Sequence, residues 1–307
     1  MNSFVTLRDV GLRDGLQSIQ TILPTEKKCD WIDAAYAAGV RHMEVGSFVP
    51  AHLMPQLADT ASVVAHAKRY ADLHITVLVP NLKGAERAIE AGADALLLPI
   101  SASAAHSAAN VKKTPDQMLE ILATIDSARK SAGSSITIDV GISTAFGCTI
   151  QGDVPESEVV RIAKAAVDAG ADEIGLADTV GYADPAQVKR LFTKVQAAIG
   201  ARCRTAHFHD TRGLALANTV AALDVGIRYF DASLGGIGGC PHAPGASGNV
   251  STEDVVYLLV RMGFETGIDL DRLLVLRKQV SQWLVNEQFN GYIWRAGAAK
   301  SSAFLHQ

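Results

Sequence analysis

The sequence predicts an α/β fold in which eight parallel strands close into a (β/α)₈ TIM barrel, with additional helices at the C-terminus. Helix-like segments alternate with short apolar runs along the chain, and several runs are continuously apolar, as in strands buried on both faces of a parallel sheet. About eight such runs within roughly 250 residues match the size of this barrel. An open doubly wound sheet is the alternative. The segment GLRDG after the first run, however, lacks the glycine fingerprint of a dinucleotide fold.

The order of elements follows from these runs and from the residues between them. The predicted strands are residues 5–9, 42–46, 74–79, 95–100, 136–143, 173–177, 204–209 and 228–233. The predicted helices between them include residues 25–38, 57–69, 115–131, 155–169, 185–199 and 213–225. Prolines open several of these helices, and glycines at 39, 92, 170 and 226 follow helix ends shortly before a strand. Glycine supplies the left-handed conformation that ends a helix, so this punctuation supports the alternation.

One domain is predicted for residues 1–307, because no segment has the composition of a linker. The barrel is expected at about residues 4–265, and it includes a closing helix at 252–263. A C-terminal helical extension is expected at about 266–295, with a helix at 270–290. The tail beyond it is small and polar, and we expect it to be disordered.

Composition excludes several classes of function. The 307 residues are 48% hydrophobic and 20% charged with a net charge of −4, so nothing favours binding to nucleic acid or to a membrane surface. The four cysteines are far apart, as expected for reduced thiols. No apolar signal core follows the N-terminus and no run approaches about twenty apolar residues. We therefore expect a soluble cytoplasmic protein.

Two histidines in the seventh predicted strand are the first candidates for chemistry. His207 and His209 are two residues apart, so in a strand both side chains point to the same face. A pair of neutral imidazoles held side by side can bind a metal ion. For an isolated pair, hydrogen-bonded core histidines are an equally good interpretation, and other ligands are needed to decide.

Other polar residues stand at the C-terminal ends of the predicted strands, where a barrel places its active site. These are Arg13, Asp14 and Gln17 after the first strand, Glu44 and Ser47 in the second, Asp178 and Thr179 at the sixth, and Cys240 and Asn249 in a glycine-rich segment after the eighth. A carboxylate, two imidazoles and an amide oxygen suit Mg²⁺ or Mn²⁺ better than a thiolate-seeking metal. Each residue alone has an ordinary structural interpretation: a turn at Arg13–Gly15, a helix N-cap at Asp178, a buried thiol at Cys240.

Taken together, the motifs resemble those of the 3-hydroxy-3-methylglutaryl-CoA (HMG-CoA) lyase family, in the DRE-TIM metallolyase superfamily. The resemblance covers about residues 5–274 and rests on RDGLQ, MEVGSFV, VLVPNLKG, ADTVG, HFHDTRGLALANT and GGIGGCPHAPGASGNVSTED. It implies a (β/α)₈ barrel that binds a divalent metal ion and cleaves an acyl-CoA thioester to acetyl-CoA and acetoacetate by a retro-Claisen reaction. It also implies a homodimer.

The resemblance assigns roles residue by residue. The metal ligands would be Asp14, His207, His209 and Asn249. The catalytic residues would be Arg13, Asp14, Glu44, Asp178, His207 and Cys240, with Arg13 stabilising the enolate oxygen and Cys240 moving a proton. The substrate-binding residues would be Arg13, Gln17, Ser47, Thr179 and Glu253. The group that removes the C3 hydroxyl proton stays open between Asp14, a histidine and metal-bound water.

Departures from the family pattern concern the substrate more than the chemistry. They lie at residues 18–20, 50–53 and 101–113 and at His242, positions that surround the acyl group and coenzyme A in the family. A different branched 3-hydroxyacyl-CoA, with a longer or more polar branch, is therefore the alternative substrate, and a related aldolase is the alternative enzyme. A non-catalytic barrel is disfavoured, because the ligand set, the arginine and the loop cysteine occur together.

Overall fold

A computed structural model describes residues 4–238 and 248–300 and contains a closed eight-stranded barrel. The strands are β1 (Thr6–Asp9), β2 (His42–Ser47), β3 (His74–Leu78), β4 (Ala95–Ser101), β5 (Thr137–Ser143), β6 (Glu173–Asp178), β7 (Cys203–Phe208) and β8 (Tyr229–Ala232). Each strand pairs in parallel with the next, and β8 closes the barrel on β1. The predicted fold class is confirmed, and each predicted strand overlaps an observed one.

Helices surround the barrel. They are α1 (Thr25–Ala37), α2 (Thr60–Ala67), α3 (Leu82–Ala91), α4 (Ala104–Val111), α5 (Pro115–Ser131), α6 (Glu156–Asp168), α7 (Pro185–Ile199), α8 (Ala215–Asp224), α9 (Thr252–Arg261), α10 (Leu270–Trp283) and α11 (Ile293–Ala296). Two predicted bounds were wrong: α2 begins at Thr60, after a 3₁₀ turn at Pro55–Leu57, and α10 ends at Trp283 and does not continue to residue 290. Residues 301–307 of the predicted tail lie outside the described residues.

Local chemistry explains where the helices begin and end. In α5, Thr114 and Gln117 form a reciprocal capping box, and Pro115 occupies the first turn, where its missing N–H costs nothing. The side chain of Asp184 caps α7 in the same manner by accepting from two backbone N–H groups. The four helix-ending glycines predicted from sequence all have positive φ, for example 76° at Gly92. These ends return the chain to the next strand.

The barrel's two surfaces differ in character. Outward-facing strand residues such as Ile138 and Val140 are fully buried against the helices and form the main apolar core. The lumen instead holds charged side chains: Arg8 of β1 forms ion pairs with Asp231 of β8 and Asp139 of β5. An apolar shell therefore holds a polar interior in place, and that interior opens at the C-terminal ends of the strands.

The C-terminal extension packs back on the barrel. Helix α10 lies against α1 and α9, and its Arg277 contacts Glu253 of α9 (Nε–Oε1 2.7 Å). Backbone N–H groups at the start of α11 donate to Asp254 of α9. Among the described residues, no helix combines the length and the apolarity that crossing a membrane requires.

Candidate metal centre and active site

A cavity of about 730 Å³ opens at the C-terminal mouth of the barrel and reaches down into the lumen. Its polar lining residues include Arg13, Asp14, His207 and His209. Its apolar lining residues include Val49, Pro50, Leu53, Met54, Leu97, Pro99 and Met118. This location is the one at which TIM-barrel enzymes hold their substrates.

The loop after β1 is held by buried hydrogen bonds that fix Arg13 and Asp14. Residues Gly11–Gly15 form a single π-helical turn. Asp9, at the end of β1, accepts from Gly11 N (3.0 Å) and from the Thr252 hydroxyl (2.7 Å), so the turn is tied to the start of α9. Burial raises the pKa of Asp9 to about 6, although these hydrogen bonds favour its charged form.

Three side chains from two distant parts of the chain meet at the mouth. Ligand atoms of Asp14, His207 and His209 all lie within 4.8 Å of one another. The two imidazole ring centres are 5.1 Å apart, and His209 Nε2 is 3.5 Å from Asp14 Oδ2. Strand geometry explains the histidine pair, because residues two apart in and just after β7 face the same side.

Asn249 joins this group from the segment after β8. Its backbone forms an isolated bridge with His209, and its amide nitrogen donates to Asp14 Oδ2 (2.6 Å). The close approach requires glycine at 238, where φ is 98° and a Cβ atom would lie 2.6 Å from the Asp14 carbonyl oxygen and 2.9 Å from Asn249 Nδ2.

The residues present fit a divalent cation. Among the described residues, Asn249 Oδ1 and His209 Nδ1 are buried without a hydrogen-bond partner, and a buried polar atom without a partner is costly. Carboxylate, imidazole and amide donors form a mixed oxygen and nitrogen set that suits Mg²⁺ or Mn²⁺. The four predicted metal ligands are thus brought together, in a form that supports binding of such an ion.

Electrostatics keep the carboxylate charged and orient one histidine. Burial would raise the pKa of Asp14, but Arg13 and both histidines outweigh it and hold this pKa well below its usual range. His207 Nδ1 lies 3.2 Å from Asp231 Oδ2. A carboxylate can only accept, so Nδ1 carries the proton. Burial would lower the pKa of His207, but Asp231 and Asp14 raise it, and a cation would bind the neutral ring through the lone pair of Nε2.

Arg13 is held between two acids. Its guanidinium donates to Asp14 and to Glu44 Oε2 (2.7 Å), and it is 6% exposed while Glu44 is fully buried. Burial would lower the pKa of Arg13, but Asp14 and Glu44 raise it, so it stays charged. A fixed cation beside the three converging ligands can stabilise negative charge that develops there.

The remaining predicted residues divide into two groups. Gln17 and Thr179 line the cavity. Three others, Ser47, Asp178 and Glu253, are buried and are not among the residues that line it. Ser47 Oγ accepts from Val49 N, and Asp178 accepts from Tyr182 N and Ala183 N. Glu253 accepts from Gly235 N and lies beside Arg277. Their contacts shape loops at the barrel mouth, and the roles predicted for them stay predictions. Cys240 lies outside the described residues.

Sequence reasoning missed the charged network beneath the site. Arg8 Nε and Nη2 donate to Asp231 (2.8 and 3.1 Å), and Nη1 donates to Asp139 (3.0 Å). Asp231 in turn orients His207. The available signal was a charged residue, Arg8, Asp139 or Asp231, inside each of three strands, but nothing local indicates that the three meet.

Comparison with known proteins identifies the family. A family model described as HMGL-like matches residues 5–280. The chain belongs to the HMGL-like family. One curated relative of this HMGL-like protein is the hydroxymethylglutaryl-CoA lyase YngG of Bacillus subtilis, 40% identical over 278 residues that cover 91% of this chain and 92% of the relative. Another is the mitochondrial hydroxymethylglutaryl-CoA lyase of Rattus norvegicus, which is 38% identical over 88% of this chain and 82% of the relative.

Solved structures agree with this membership. An HMG-CoA lyase from Acinetobacter baumannii, in complex with coenzyme A and 3-methylmalate, has a TM-score of 0.91 at 40% identity and covers 97% of this chain and 96% of its own. An HMG-CoA lyase from Pseudomonas aeruginosa has the same TM-score at 34% identity, and the match covers 96% of this chain and 98% of that structure. The HMGL-like protein described here is accordingly a carbon–carbon lyase.

Proposed function

We propose that this protein cleaves 3-hydroxy-3-methylglutaryl-CoA to acetyl-CoA and acetoacetate in a divalent-metal-dependent retro-Claisen reaction. The observation that carries the proposal is the convergence of Asp14, His207 and His209 within 4.8 Å beside Arg13, in a chain of this family. The relative from Acinetobacter baumannii binds coenzyme A and a small hydroxy diacid, which supports an acyl-CoA substrate for this chain as well.

Asp14, His207, His209 and Asn249 are the residues that would hold the cation. Bound there, Mg²⁺ or Mn²⁺ lowers the pKa of the C3 hydroxyl and fixes its orientation. Asp231 supports this role by holding His207 Nδ1–H, which leaves Nε2 as the nitrogen available to a cation.

The reaction removes a proton from oxygen, breaks one carbon–carbon bond and adds a proton to carbon, while the electron pair of the O–H bond forms the new carbonyl. The C3 hydroxyl loses its proton, the C2–C3 bond breaks, and C3 becomes the ketone carbon of acetoacetate. The bond pair passes to C2 and onto the thioester oxygen as an enolate, which Arg13 stabilises because its guanidinium stays charged and is already oriented by Glu44. C2 then takes up a proton to give acetyl-CoA. The assignment of Cys240 to that step stays a prediction from sequence.

Lysines at the cavity rim support coenzyme A as the carrier. Lys112 and Lys113 are exposed and line the same cavity as Arg13 and Asp14. Exposed ammonium groups are suited to phosphate groups. A homodimer, a cytoplasmic location and one domain spanning residues 1–307 remain predictions from sequence and family.

The experiment that tests the function uses purified protein treated with EDTA and then dialysed. With HMG-CoA alone it should form almost no product, and with Mg²⁺ or Mn²⁺ restored it should form acetyl-CoA and acetoacetate in equal amounts, measured by mass spectrometry. Full activity after rigorous chelation would contradict the metal requirement. Intact HMG-CoA under every metal condition would contradict the substrate.

A further inference from the structure

The lumen of the barrel contains a gap at two facing glycines. On β5 the inward positions are Asp139, Gly141 and Ser143, and on β6 the register places Gly175 directly beside Gly141. TIM barrels normally fill such positions with bulky side chains. Here both glycines line the cavity and remain partly exposed, whereas the outward residues of the same strands are fully buried.

The gap lies directly below the candidate metal centre. Gly175 pairs with Thr205, and two residues further along β6 Ala177 pairs with His207. Two residues of a strand span about 6.6 Å, so the glycine pair is one layer of side chains beneath the layer that holds His207. A group attached to C3, the carbon whose hydroxyl the cation would hold, could therefore reach into the gap.

The walls and the floor of the gap indicate what it accepts. Leu97 and Pro99 on β4 are neighbours of β5 in the register and line the same space. At the floor, all three guanidinium nitrogens of Arg8 donate to Asp231 or Asp139. The floor therefore presents two carboxylates and one arginine that is paired with both of them. An anionic group would be repelled there, whereas an uncharged chain would pack on Leu97 and Pro99.

We propose that the gap at Gly141 and Gly175 is a subsite for the C3 substituent, and that this protein cleaves 3-hydroxyacyl-CoA thioesters whose uncharged alkyl branch at C3 is longer than methyl. The depth of one side-chain layer accommodates a branch of roughly four carbon atoms. The two glycines determine specificity by leaving space. This inference rests on the proposed lyase function and names a wider substrate class for the same site.

Gly141 offers a clean way to fill the subsite. A Cβ atom at Gly141 would have Leu97 Cδ1 as its nearest neighbour, at 3.4 Å, an ordinary van der Waals contact. At Gly175 the nearest atom would be Thr205 Cβ at 3.1 Å, which is tighter. Gly141→Ala therefore adds a methyl group in ordinary contact with Leu97, and Gly141→Val adds two further carbon atoms to the gap.

The experiment compares two substrates, HMG-CoA and its analogue with a butyl group in place of the C3 methyl. Each is given to the metal-loaded wild-type enzyme, to Gly141→Ala, to Gly141→Val and to the control Ala123→Val, which adds two carbon atoms at an exposed position of α5. We expect the wild type to cleave both. We expect the ratio of kcat/KM for the butyl substrate over HMG-CoA to fall stepwise, by at least about tenfold in Gly141→Val, because one or two methylenes in a pocket are worth that much. The control should keep the wild-type ratio.

Two results would overturn the inference. A wild type that cleaves HMG-CoA but not the butyl substrate would leave the lyase function standing and remove the subsite. A folded Gly141→Val, verified by its thermal unfolding, with an unchanged ratio would show that the branch does not enter the gap. Failure of the wild type on both substrates would instead count against the proposed function itself.

Discussion

Replacing Asp231 by asparagine tests the buried network beneath the metal centre. The Asp231 carboxylate is 5% exposed and accepts from Arg8 Nε at 2.8 Å and Nη2 at 3.1 Å. Burial alone would raise its pKa, but Arg8 and His207 lower it from 3.8 to about 2. A difference of roughly 1.8 in pKa between the unfolded and folded states corresponds to about 2 kcal/mol of stability at neutral pH.

The sign of the pH dependence follows from the lowered pKa. The contribution of Asp231 is fully present above its unfolded pKa of 3.8 and is lost as the pH falls through about 2. In metal-free protein, Asp231→Asn should therefore lower the free energy of unfolding by about 2 kcal/mol at pH 7. The difference in free energy of unfolding between the variant and the wild type should fall to roughly half of its value by pH 3. Urea unfolding followed by circular dichroism measures both quantities.

A matched control separates this effect from loss of any surface charge. Asp72 forms an ion pair with Arg41, but its side chain is 60% exposed, so Asp72→Asn should leave stability close to that of the wild type. Equal free energies of unfolding of Asp231→Asn and wild type at pH 7 would refute the account of the buried network. A difference between them that does not decrease on acidification would refute it too.

Two further predictions concern the arginine at the site and an acid beneath the neighbouring loop. Arg13→Met should lower kcat/KM by about 10²–10³, as removal of other charge-stabilising donors does. Because this change leaves the buried Glu44 carboxylate without its partner, the double variant with Glu44→Gln serves as the folding control. Near-wild-type turnover in either variant would remove Arg13 from the mechanism. Burial raises the pKa of Glu253 from 4.5 to about 7, although the backbone N–H of Gly235 and the charge of Arg277 lower it. The contribution of Glu253 to the free energy of unfolding is present below about pH 4.5 and is lost as the pH rises through 7. The free energy of unfolding of the wild type, relative to that of Glu253→Gln, should therefore fall across that range. Parallel pH profiles of the two proteins would contradict this assignment.

Much of the fold could be predicted because the signals are local. A strand buried on both faces is a continuous apolar run, and glycine after a helix marks its end whatever the helix packs against. Three helices, α3, α4 and the four-residue α11, were not among those predicted. Helix α4 has the sequence AAHSAANV, which has little apolar periodicity, so its N-cap at Ser103 is the main sequence signal for it. The start of α3 lies within the motif VLVPNLKG.

The site could be predicted only in part, for the same physical reason. Strand ends of a barrel meet at one mouth, so residues there can be grouped without knowing their contacts, and Asp14 with His207 and His209 is an example. Which way a buried side chain faces depends on partners far away in sequence. Glu253 faces Gly235 and Arg277 and does not line the cavity, while Arg8 and Asp231 are 223 positions apart.

The central claim is that Asp14, His207, His209 and Asn249 bind one divalent cation together. Calorimetric titration of Mn²⁺ into metal-stripped protein tests it most directly, with His209→Ala as the site variant and the partly buried but distant His66→Ala as its control. One Mn²⁺ should bind per wild-type and per His66→Ala chain, and this binding should be lost in His209→Ala. Undiminished binding in His209→Ala, or none in the wild type, would contradict the account.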